Sequence, residues 1–112
     1  MFSFDISHMG YENAMQILST AILNNKQISC QIDFNADHSR SKIIRDFVGQ
    51  IFDKYQIHYP WRGRFILITD ELINNAIEHG SADGDIDTCI IEAGMDINNA
   101  FYISIEVHDT GC

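Results

Sequence analysis

A chain of 112 residues with 46% apolar and 11% aromatic content can build one hydrophobic core but not two, and that apolar share argues against disorder. A net charge of −9, with only seven scattered Lys and Arg, disfavours nucleic acid as a partner, because a phosphate backbone selects a basic patch. The three cysteines form no C-x-x-C and cannot all pair, and no signal-like start or membrane-length apolar run is present, so the expected setting is the reducing cytoplasm, with no membrane partner.

In chain order, "FSFDI" alternates Phe2, Phe4 and Ile6 as a short strand. Tyr11, Ala14, Met15, Leu18, Ala21 and Ile22 then follow helical spacing up to Leu23, and "NNKQ" breaks the helix. Ile28, Cys30, Ile32 and Phe34 alternate with polar residues as a half-buried strand. Asp37 or Ser39 can cap the next helix, whose stripe is Ile44, Phe47, Val48, Ile51, Phe52 and Tyr55.

Pro60 fits the first turn of a third helix. That helix runs to about His79, where Gly80 supplies a helix-ending position. "SADGD" reads as a turn. Cys89, Ile91, Ala93 and Met95 form one strand, "INN" turns, and Phe101, Ile103, Ile105 and Val107 form the next. Strand, helix, strand, helix, helix, strand, strand is the order of an α+β two-layer sandwich, with a mixed, mostly antiparallel sheet and helices on one face.

The third helix carries the stretch "DELINNAIEHG". At about 100° per residue, Glu71, Asn75 and Glu78 share an arc of about 60° that also holds Arg64. Trp61, Phe65, Ile68, Leu72 and Ala76 fill a neighbouring apolar arc, and Ile66, Ile73 and Ile77 another. Two apolar arcs predict a mostly buried helix, its polar strip facing a cavity or a narrow solvent window. Spacing alone equally fits a solvated charge ladder of Arg64, Glu71 and Glu78. In the last strand, parity places Asp109 on the apolar face of "EVHDTG", where a carboxylate needs a partner. The plain alternative is that regularity fails after Val107 and Asp109 opens a turn with Thr110 and Gly111.

"ELINNAIEHG" resembles the N box of the GHKL ATPase superfamily, and "DTG" resembles the opening of its D-x-G-x-G box. The Glu, the Asn four later and the trailing "HG" are most similar to the anti-sigma-factor serine/threonine kinases. Those kinases switch off a sigma factor and phosphorylate an antagonist of STAS type. The resemblance covers roughly residues 28–111. It implies a GHKL-type ATP-binding domain over 27–112, preceded by an extension over 1–26 whose amphipathic helix has no assigned role.

On that resemblance the cofactors are ATP and Mg²⁺. Asn75 would ligate Mg²⁺, which takes few protein ligands and completes its shell with water and phosphates. Glu71 would be the catalytic general base on the attacking hydroxyl. Asp109 would accept the exocyclic amine of adenine, and Gly111 would let the backbone approach the base. His79 is treated as structural. The partners implied are the STAS-type antagonist and the sigma factor.

The acid box stops at Cys112 without its second glycine, and the lid and later Gly-rich box do not follow, so the expectation is a truncated member with a weak or inactive kinase function. No P-loop or dinucleotide fingerprint occurs. "DGDID" lacks the Gly and Glu an EF-hand needs and reads as a solvated turn. Two other readings stay open. One is a non-catalytic binding module that dimerises through the Tyr11–Ile22 helix. The other is a sensor histidine kinase ATP-binding domain, disfavoured because His8 precedes the helical pattern.

Overall fold

In the computed structural model the described residues are 1–23, 25–80 and 85–109. The elements run β1 (Phe2–Asp5), α1 (Tyr11–Leu23), β2 (Ile28–Asn35), α2 (Ser39–Lys54), α3 (Trp61–Asn75), β3 (Ile86–Met95) and β4 (Phe101–His108), with a π-helical turn, Ala76–Gly80, prolonging α3. These are the elements the periodicities predict, in the predicted order. The molecule is α+β, with a four-stranded mixed sheet and three helices arranged compatibly with a two-layer sandwich.

Strand order in the sheet is β1-β2-β3-β4. β1 lies parallel to β2, pairing Phe4 with Ile32. β2 and β3 are antiparallel with Cys30 opposite Ile91, and β3 and β4 are antiparallel with Ile91 opposite Ile105. Alternation decides which face is covered. Ile28, Cys30, Ile32 and Phe34 of β2 and Cys89, Ile91 and Ala93 of β3 are buried, whereas Ser29, Gln31, Asp33, Thr88 and Ile90 between them are half-exposed.

The helices supply the other half of the core. Ala14, Leu18 and Ile22 of α1 and Ile44, Phe47, Val48 and Ile51 of α2 join the strand residues in one continuous cluster. β1 and α1 are therefore part of this core, β1 on the sheet and α1 on its helical layer. The apolar face of α1, the expected dimer surface of the binding-module reading, is occupied from within: Ala14, Leu18 and Ala21 are wholly buried.

Polar contacts fix the joints. Asp37 accepts the Ser39 N–H at 2.9 Å, which caps α2 from two residues ahead. That bond, with the Ser39 hydroxyl, holds the Asp37 carboxyl below its ordinary range. Tyr11 donates its hydroxyl to Asp46 at 2.5 Å, tying the start of α1 to α2. Lys54 donates to the carbonyls of Ile22 (2.6 Å) and Asn25, which collects acceptors left over where α1 ends.

Candidate functional site

The long helix divides its side chains differently from the prediction. One side is buried or engaged: Thr69 and Ile73 are wholly covered, and Ala76 and Ile77 continue the contact into the π turn. The second apolar arc is not. Trp61 is 61% exposed, Ile68 49% and Leu72 37%, with only Phe65 half-buried and Ala76 buried among its five residues. The expectation of a mostly buried helix is thus corrected. Two apolar arcs imply two partners; α3 packs closely on α2 and meets β4 across a groove that leaves much of the second arc uncovered.

The polar residues divide in the same way. Asp70 and Asn74 face α2: Ser41 donates its hydroxyl to Asp70 at 2.5 Å, Arg45 lies 3.8 Å from the same carboxylate, and the Asn74 side-chain oxygen meets His38 Nδ1 at 2.9 Å. Glu78 is 3.5 Å from His38 Nε2 and 3.7 Å from His79 Nε2, so the end of the helix is drawn to the start of α2. Glu71 and Asn75, one position further round, are exposed. They stand one turn apart on the uncovered strip that also holds Arg64, Ile68 and Leu72. His79, read as structural, is exposed and touches only the half-exposed Glu78 among these groups.

Beside the N-terminal half of this strip lies an apolar groove of about 500 Å³ between α3 and β4. It is lined by Phe52 and Ile57, by Trp61, Phe65 and Ile68 of α3, and by Phe101 and Ile103 of β4. Among the described residues Arg64 is the one charged group in its lining, 5.7 Å from the Trp61 ring centre. Ring contacts of Phe52 with Phe65 (5.5 Å) and of Phe101 with Phe52 and Tyr55 (5.3 Å each) stiffen it. Glu71, Asn75 and Asp109 are not part of that lining.

Asp109 does not take the inward direction that parity predicts. β4 ends at His108, and His108 and Asp109 are both exposed, so the alternation that holds from Phe101 to Val107 stops one residue short of the acid. Asp109 is engaged in the structure. Gly111, and most of the "DTG" stretch with it, lies outside the described residues, as do residues 81–84 of the expected turn. Among the described residues no three His, Cys, Asp or Glu side chains gather as metal ligands. Mg²⁺ requires no such cage when phosphates and water complete its shell.

Two charged residues of structural weight escape a motif-based reading. Arg40 is buried and donates through Nη1 to the carbonyls of Ile6 (2.8 Å) and Met9 (2.6 Å), stitching the end of β1 to the start of α2. Nothing in its sequence neighbourhood distinguishes it from a surface arginine. Asp87 is wholly buried near the start of β3, where a solvated turn was expected. Here parity holds the signal, since Asp87 shares the inward phase of Cys89, Ile91 and Ala93. No family model, curated protein or solved structure matches the chain.

Proposed function

We propose that this chain is the ATP-binding domain of a GHKL-type serine/threonine kinase of the anti-sigma kind, acting on a STAS-type antagonist. One observation carries the reading. The "ELINNAIEHG" helix keeps Glu71 and Asn75 exposed and a turn apart, while the adjoining Asp70 and Asn74 take the structural contacts with α2. The strand against which this helix begins to pack is the one that leads into "DTG".

The donor set suits a magnesium nucleotide. The carboxamide oxygen of Asn75 is a neutral ligand for Mg²⁺ and adds no negative charge beside the phosphates, which matters in a domain of charge −9. ATP would supply the transferable phosphoryl group. Glu71 would take the proton from the seryl or threonyl hydroxyl, Asp109 would accept the adenine amine, and exclusion of guanine would follow from that acceptor.

The test is thermal unfolding with Mg-ATP, Mg-GTP, ATP with chelator, and no ligand. Adenine-selective, magnesium-dependent binding at about 100 times the dissociation constant adds about 2.7 kcal/mol, a rise of roughly 10 °C for a domain of this size. Asn75→Ala should remove the magnesium dependence, and Asp109→Asn should weaken adenine binding by about 1–3 kcal/mol through a mispaired acceptor. Nucleotide preference that is unchanged in Asp109→Asn rejects the assignment. A second reading, a non-catalytic binding module on this scaffold, draws on the apolar groove beside β4. It predicts no thermal response to any nucleotide.

A further inference from the structure

The helix segment "DELINN" offers the same chemistry twice. Asp70 and Asn74 are a carboxylate and a carboxamide one turn apart, and so are Glu71 and Asn75. The two pairs are offset by one residue, about 100° round the helix, so a change of rotation would exchange them. Burial of apolar surface alone sets that rotation loosely. Ile66, Ile73 and Ile77 form one apolar arc, and Phe65, Ile68 and Leu72 form another.

In the structure α2 engages the first pair. Ser41, itself buried, donates its hydroxyl to Asp70 at 2.5 Å, and Arg45 lies 3.8 Å from the same carboxylate. His38 Nδ1 meets the Asn74 side-chain oxygen at 2.9 Å. Two contacts a turn apart on one flank of a helix oppose its rotation as a single contact does not. Glu71 and Asn75 are left exposed.

We propose that Asp70 and Asn74 are positioning residues. Their contacts with Ser41, Arg45 and His38 set the rotation of α3 and so select Glu71 and Asn75 as the pair presented to a magnesium nucleotide. The role rests on the assignment of Glu71 and Asn75 proposed above. It adds that the first turns of α2, which carry no residue of either motif, govern the site through α3. Groups that orient a metal ligand matter roughly 10- to 100-fold to metal affinity, because the ligand must be held to within a few tens of degrees of its working direction. A second tie between the two helices serves as the control. Arg62 donates to the Asp53 carboxylate through Nε (2.8 Å) and Nη2 (3.2 Å), more than two turns before Glu71.

Titration calorimetry with ATP, in magnesium and in chelator, tests the role at a temperature where circular dichroism shows each variant folded. Asp70→Ala, Asn74→Ala and Ser41→Ala each weaken Mg-ATP binding by roughly tenfold or more and leave ATP binding in chelator unchanged. Asp70→Asn keeps an acceptor for the Ser41 hydroxyl and retains most of the Mg-ATP affinity. Arg62→Ala lowers the unfolding temperature without weakening Mg-ATP binding. Mg-ATP affinity unchanged in all three alanine variants overturns the positioning role and leaves the assignment of Glu71 and Asn75 standing. An equal loss in Arg62→Ala also overturns the role, since general loosening of the helix pair then accounts for the effect. A wild-type chain indifferent to magnesium overturns the assignment and the role together.

Discussion

Arg40 combines burial with a charge-assisted role that a hydrocarbon of equal volume cannot fill. Its guanidinium satisfies two backbone carbonyls, those of Ile6 and Met9, while Nε and Nη2 reach the Ser39 hydroxyl at 3.1 and 3.0 Å. Arg40→Met keeps most of the apolar stem and removes every donor, so the two carbonyls lose their partner. Urea unfolding should show a loss of roughly 2–4 kcal/mol, with no change in slope if the folded core is otherwise intact. A loss below the error of the measurement would mean that water replaces the guanidinium at no cost. Residues of this kind are illegible beforehand, because a buried arginine and a surface arginine look alike until the turn that needs its donors is known.

α3 shows why some elements are legible in a sequence and others only half so. Period-two alternation placed all four strands, and the helical stripes of α1 and α2 became their buried faces, because each of those elements has one apolar face and that face is covered. α3 has two apolar arcs, and periodicity reports an apolar arc without reporting whether anything covers it. Ile73 is wholly buried while its neighbour Leu72 is 37% exposed. Ile73→Ala should therefore cost about 2–4 kcal/mol, and Leu72→Ala less than about 1 kcal/mol, in the same denaturation assay. Equal costs would place a cover over the Leu72 face. The candidate site was half legible for the same reason: the helix phase put Glu71 and Asn75 on one strip, but strand parity could not foresee that β4 ends before Asp109.

At the scale of the whole molecule, one face of a four-stranded sheet is covered by helices, and the two thiols among the described residues lie on that face. Cys30 and Cys89 are both wholly buried and unpaired. Burial pushes the Cys30 thiol up to about 12 and the Cys89 thiol higher still, so neither forms the thiolate that reacts. An aromatic disulfide reagent at neutral pH should leave both untouched in the native chain and titrate both in denaturant. Rapid native labelling of either would show the sheet and helices parting on the timescale of the reaction.

The sheet also has a consequence for how the chain assembles. Spatial strand order is the same as chain order, so no later segment has to insert between two that have already paired. Growth can proceed outward from the amino-terminal βαβ unit, each new strand docking on the last, and the longest loop to close is the one that carries α2 and α3 between β2 and β3. Closure entropy rises only slowly with loop length, so that step should set the folding rate without trapping the chain.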